Sequence, residues 1–166
     1  VGGNVPGGAG MASSAALCSG FAYGYNHIYN HQQERLTLAR IAQYAEHEFA
    51  GVNCGIMDQY ASLFGEKDAA LFLDCRSLIH QTIPISLDSH RLLLVDTRVK
   101  HSLASTGYND RRASCEEGLA VIKKKYPEVI ALRDVTRTML YECQDKLGDD
   151  TFIKNMFVVE EIDRAQ

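Results

Sequence analysis

The residues of this chain best suited to chemistry begin with a glycine-rich run, Pro6-Gly7-Gly8-Ala9-Gly10-Met11-Ala12-Ser13-Ser14. Glycine lets a backbone come close to a ligand, and a helix start offers unpaired N–H groups and a partial positive charge. A glycine lead-in that runs into a helix is therefore suited to holding a phosphate. Ser13 and Ser14 add hydroxyls in the first turn, placed to bond phosphate or ligate Mg²⁺. Taken alone, the run also fits an ordinary glycine turn that starts a helix. Two common phosphate motifs do not match. No Lys follows Gly10, as a P-loop requires. Neither a strand before the loop nor an acidic residue roughly 20 positions later, the dinucleotide fingerprint, is evident.

Two carboxylates come next. Glu46 lies within a helical pattern, where it fits either a metal ligand or a solvated helix-face carboxylate. Asp58 stands near a helix start, where it fits either a proton acceptor or a cap. Cys18, Cys54, Cys75, Cys115 and Cys143 are odd in number and widely spaced, with no CxxC or His-rich metal spacing. They read as free thiols of a reducing compartment. Cys54 has no His base arranged with it in sequence, which excludes a Cys nucleophile. His47 and His101 have no partner in the sequence and are assigned no role.

The elements that must position these groups follow from periodicity. A helix is expected from Met11 to about Tyr29, led by small residues and then Leu17, Phe21 and Tyr25. A second is expected from about Glu34 to Ala50, with an apolar stripe at Leu36, Leu38, Ile41, Ala42, Ala45 and Phe49, stopped by Gly51. A third covers Ile56 to Phe64 and ends at Gly65. The period then changes. Ala69–Asp74 and Ile79–Ile85 read as strands, and Arg91–Asp96 reads as a third strand buried on both faces. Asp88-Ser89-His90 is the expected domain boundary. Helices are expected from about Asp110 to Lys125, Asp134 to Lys146, and Asp149 onward.

Composition sets the outer bounds. Of 166 residues, 46% are hydrophobic and 23% charged, which suits a packed core. The formal net charge of −4 argues against nucleic-acid binding. No apolar run approaches the roughly 18 residues of a membrane span, and no secretory signal opens the chain. The chain starts on Val-Gly-Gly-Asn and closes in a helical pattern, as a piece of a longer protein would.

Read together, the blocks resemble a known family. Pro6-Gly7-Gly8-Ala9-Gly10-Met11-Ala12-Ser13-Ser14-Ala15-Ala16-Leu17 resembles the ATP-binding motif of the GHMP kinases, and the segment from Ala45 to Gln59 narrows the resemblance to the galactokinase branch. Asp74-Cys75-Arg76-Ser77-Leu78, Val99 to Ala104, Tyr108 to Arg112 and Leu132 to Thr136 extend it over nearly the whole chain. The resemblance implies a two-lobed α/β (α+β) fold with a ribosomal-protein-S5-like N-terminal lobe, continuing to residue 88 here, and a ferredoxin-like C-terminal lobe from residue 89, both incomplete. It implies transfer of the γ-phosphoryl group of ATP to the C1 hydroxyl of galactose with Mg²⁺, in the cytoplasm, by an enzyme expected to be a monomer at full length.

Residue by residue, the resemblance makes Asp58 the catalytic carboxylate and Gly55, Asp58 and Tyr108 the sugar contacts. Pro6, Gly7, Gly8, Ala9, Gly10, Met11, Ala12, Ser13 and Ser14 match the phosphate cradle, with Lys100 near the phosphates and Ser14 and Glu46 on the metal. Ala12 and Ala16 replace the Ser of many members, which implies weaker hydroxyl contacts. The family's N-terminal sugar-binding motif, with an Arg partner for the catalytic Asp, and its C-terminal glycine motif are not in this sequence. A silent galactose- and ATP-sensing relative, or a kinase for N-acetylgalactosamine, are the other functions this resemblance allows.

Overall fold

Small residues decide how the first helices meet. The computed structural model describes residues 3–95 and 107–165, which fall into two compact units, one within Val1–Ala104 and one within Ser105–Gln166. In the first unit, α1 (Ser13–Ile28), α2 (Arg35–Ala50) and α3 (Met57–Phe64) pack on one another. The touching faces carry Ala15 and Ser19 of α1, and Leu38, Ala39, Ala42 and Glu46 of α2. The short side chains of Ala15, Ser19, Ala39 and Ala42 allow close approach of the helix axes. The larger apolar residues of α1 point outward: Leu17, Phe21 and Tyr25 are exposed, and Phe21, Tyr25 and Tyr29 stack in a row along the helix. On α2, Ile41 and Phe49 are likewise exposed, so the buried stripe is narrower than the sequence pattern suggests.

Gly51, at φ 65°, ends α2 in a left-handed conformation, and the Val52 N–H bonds back to the Glu46 carbonyl at 3.2 Å. A short segment then delivers the chain to α3. Tyr60 of α3 is buried, stacks on Phe64 at 4.1 Å, and meets the edge of His80 at 5.4 Å. That contact ties α3 to an antiparallel hairpin of β1 (Ala69–Asp74) and β2 (Ile79–Pro84), in register Ala69 with Pro84 and Asp74 with Ile79. The Asp74 carboxylate accepts the N–H groups of Arg76 and Ser77 and so shapes the turn.

The expected third strand is not formed. Residues 91–95 have no strand structure, and Leu92 and Leu93 are each 86% exposed; Asp96 lies outside the described residues. An apolar run becomes a strand only when a neighbour pairs its N–H and C=O groups, and among the described residues the only sheet is the β1–β2 pair.

The second unit holds α4 (Gly107–Lys125), a 3₁₀ turn at Leu132–Asp134, α5 (Arg137–Tyr141), α6 (Gln144–Leu147) and α7 (Asp149–Ala165). The single helix expected over Asp134–Lys146 is therefore broken. Asp134 is used by the turn before it, where its carboxylate accepts the N–H groups of Ile130 and Ala131. Thr136 then caps α5 through its hydroxyl, which accepts the Met139 N–H at 3.3 Å. Ile122, Val129, Val135, Leu140, Cys143, Leu147 and Val159 form the core.

Gly118 of α4 faces Asn155 of α7, which is fully buried and donates to the carbonyls of Ser114 at 2.9 Å and Thr151 at 2.8 Å. A Cβ at position 118 would overlap that amide. Gly118→Ala gains about 1 kcal/mol of helix propensity but forces Asn155 off its two acceptors. The expected net result is destabilisation by about 1–3 kcal/mol, measured as a lower urea midpoint; an unchanged or higher midpoint would contradict the close packing described.

Candidate functional site

The glycine loop and α1 make the first part of the site. Gly8 (φ 75°), Gly10 (φ 71°) and Ala12 (φ 51°) alternate in the left-handed region. Such alternation turns successive backbone N–H groups toward one concavity, the geometry of an anion nest. α1 follows at Ser13 with no side-chain cap and no acidic residue in its first turn. Its first N–H groups and positive dipole end are therefore left for an external anion. A cleft of about 860 Å³ runs along this segment, lined by the polar Asn4, Ser13 and Ser14, the backbones of Gly3 and Gly7, and the apolar Leu17 and Phe21. That size suits a small-molecule ligand, and the mix of apolar wall and a few polar groups is typical of such sites.

Glu46 is the second part. It is 6% exposed, on the face of α2 that packs against α1 and α3. Its Oε2 accepts Gln59 Nε2–H at 2.5 Å and the Cys54 thiol at 3.3 Å. Its Oε1 is buried and has no hydrogen-bond partner among the described residues. Burial, with the Glu46 carboxylate adding to it, pushes the Cys18 thiol up. The Cys54 thiol is also raised, chiefly by burial; the bond its sulfur accepts from Gln59 Nε2–H at 3.4 Å works against the rise and its bond to Glu46 with it. Both thiols are thus neutral near pH 7 and poor nucleophiles.

An unpartnered carboxylate oxygen in a buried setting fits a hard cation. Ser14 supplies a second hard oxygen, from a helix that packs on α2. Among the described residues no group of three or more His, Cys, Asp or Glu side chains could hold a metal by itself. Mg²⁺ commonly uses one or two protein oxygens and completes its shell with phosphate and water, and this donor set suits that arrangement.

Asp58 is the third part. It stands exposed in the first turn of α3, and no side chain caps that helix. The carboxylate is therefore not engaged as a cap and is open to a ligand. Gly55 is exposed in the segment just before α3. Tyr108 belongs to the second unit, in the first turn of α4, and is 41% exposed. Lys100 lies outside the described residues. Sequence reasoning overlooked the polar contacts that hold the segment between α2 and α3: Gln43 and His47 both reach the Cys54 carbonyl oxygen, at 3.0 and 2.8 Å. The signal was available in their spacing, since residues four apart share a helix face.

Known proteins are similar to this chain. Residues 1–66 match the family model described as the GHMP kinases N terminal domain. This segment is that of a GHMP kinase N-terminal domain, and the fold of the chain is similar to part of a solved member of the class. Within that class its relatives are galactokinases. It is 44% identical over 144 residues to the galactokinase of Thermotoga neapolitana, covering 87% of this chain and 40% of that one. It is 41% identical over 162 residues to that of Thermotoga maritima, covering 98% and 44%. Among solved structures, it superposes on Lactococcus lactis galactokinase complexed with galactose with a TM-score of 0.78 at 26% identity, covering 98% of this chain and 42% of that one. The chain thus spans less than half the length of these relatives.

Ala12 carries the loop's strain, because a Cβ in the left-handed region costs about 1 kcal/mol. Ala12→Gly removes that cost, offset in part by the freer unfolded chain. The expected outcome is a gain of a few tenths to about 1 kcal/mol in a urea titration; a clear loss would show that position 12 is not left-handed.

Proposed function

We propose that a protein carrying this chain is an ATP-dependent sugar kinase that phosphorylates the C1 hydroxyl of galactose, giving galactose 1-phosphate and ADP. One observation carries this reading: an uncapped helix start behind a left-handed glycine loop packs on the helix that buries Glu46, whose Oε1 has no partner among the described residues. In this reading the loop and helix start are the phosphate cradle, and Glu46 Oε1 is the oxygen offered to a cation. The similarity to galactokinases, one of them solved with galactose, supplies the acceptor.

In this reading Gly7 to Ser14 hold the phosphates by backbone N–H groups and hydroxyls, which positions the γ-phosphoryl group and spreads its charge. Ser14 and Glu46 hold Mg²⁺, which neutralises phosphate charge when bound. Asp58 orients the sugar hydroxyl and accepts its proton as the oxygen attacks. Gly55 and Tyr108 contact the sugar, and Lys100 lies near the phosphates. Residues to about 88 are the latter part of the N-terminal lobe and the rest opens the C-terminal lobe; the family match over residues 1–66 supports the first assignment. The same reading makes the full-length enzyme a cytoplasmic monomer acting on small molecules; among the described residues no helix is long and apolar enough to cross a membrane.

The test is a coupled ADP-release assay on the protein at the full length of its relatives. Galactose is expected to stimulate ADP release, and Asp58→Asn to lower kcat by at least about 100-fold while ATP binding persists. Galactose binding without ADP release would overturn the kinase reading in favour of a sensor, and faster turnover of N-acetylgalactosamine would reassign the substrate. Residues 1–166 alone are expected to release no galactose-dependent ADP, because the Arg partner that the family supplies to its catalytic Asp is not within them; measurable turnover by this chain would contradict that.

A further inference from the structure

One turn of α2 grips the segment that leads into Asp58, and the roles above leave its Gln43 and His47 unused. Gln43, Glu46 and His47 lie on one face of α2, three and four residues apart. The Cys54 carbonyl oxygen accepts Gln43 Nε2–H at 3.0 Å and lies 2.8 Å from His47 Nε2. A carbonyl only accepts, so His47 carries its proton on Nε2 in this bond. The thiol of the same residue donates to Glu46 Oε2 at 3.3 Å. Cys54 is thus held to α2 through both its backbone and its side chain.

The chain just beyond Cys54 has little hold of its own. Gly55 has no side chain, and no side-chain bond caps α3. The bearing of Gly55 and of the Asp58 turn is therefore set on one side by the Cys54 carbonyl and on the other by the buried Gln59 and Tyr60. We infer that Gln43 and His47 are positioning residues for the acceptor sugar: by fixing the Cys54 carbonyl they set where Gly55 and Asp58 stand. The inference rests on the galactose kinase reading. Two donors share one acceptor, so losing one leaves the carbonyl held, and losing both leaves Cys54 tethered to α2 by its thiol alone, with the carbonyl free to turn.

The experiment uses the protein at the full length of its relatives and compares wild type, Gln43→Leu, His47→Phe, the double variant, and Gln43→Leu with His47→Gln. Steady-state kinetics are read separately against galactose and ATP, well below each melting temperature. The double variant is expected to lose about 100-fold in kcat/KM for galactose, the cost of a misplacement of about 1 Å, with KM for ATP unchanged. Each single variant should lose less than about tenfold, the size of one hydrogen bond. His47→Gln should restore most of the loss in the Gln43→Leu background, because its amide can still donate. A lower melting temperature with unchanged galactose kinetics, or equal losses against both substrates, overturns the inference. If the double variant does not fold, singles that shift the galactose and ATP parameters together overturn it equally, and a galactose-selective shift supports it. A wild type that binds galactose but releases no ADP overturns the kinase reading alone. The inference is then decided by galactose affinity in the same variants, expected to fall about tenfold in the double variant, with no fall overturning it. A wild type that does not bind galactose overturns both.

Discussion

A carboxylate sunk between three helices is the constraint around which the first unit is arranged. Taking a charged oxygen pair out of water is costly unless its partners are supplied. Glu46 receives one amide and one thiol at Oε2, both from the chain that leaves α2 and returns as α3. Those bonds require Gly51 to turn the chain back, Val52 to bury, and Gln59 to face inward from the first turn of α3. The small residues of α1 and α2 let a third helix close over the group. With Oε2 satisfied and Oε1 left over, the fold presents one oriented oxygen in place of a freely turning carboxylate.

The same economy of side chains governs the opposite wall. α1 begins without a cap, although Ser and Asp caps are common and stabilise a helix by about 1 kcal/mol. The sequence places Ala at that position and Ser at the next two. The hydroxyls therefore lie inside the first turn, where they add to the N–H groups without competing for them. The chain leaves N–H donors uncapped on one helix and a buried, unpartnered acceptor oxygen on the neighbour, a division of charge suited to a metal–phosphate pair.

Helix ends and the hairpin were readable because their signals are local: Gly51 and Gly65 stop α2 and α3, and the alternation over Ile79–Pro84 marks β2. The tertiary choices were not. Which face of α1 turns inward depends on the approach distance of α2, so Ala15 and Ser19 are buried while Phe21 and Tyr25 are not. Leu92 and Leu93 carry a strong strand composition, but a strand is defined by a neighbour's hydrogen bonds. Asp134 fits a helix start in sequence, yet it folds back on Ile130 and Ala131. Ser14, Glu46 and Asp58 were singled out through family resemblance more than spacing. The partners of Glu46 were invisible, because a bond between residues 46 and 59 depends on how two helices cross.

Ala12 draws these threads together. A residue with a Cβ at φ 51° holds its shape only because the surrounding chain insists on it. Its narrow allowed basin removes freedom that a glycine would retain. The loop therefore takes this shape during folding, and under the proposed role an anion docking there would meet N–H groups already turned toward one concavity. Little ordering entropy remains to be lost on binding. In that role the loop is closer to a mould than to a lid, because its shape precedes whatever it holds.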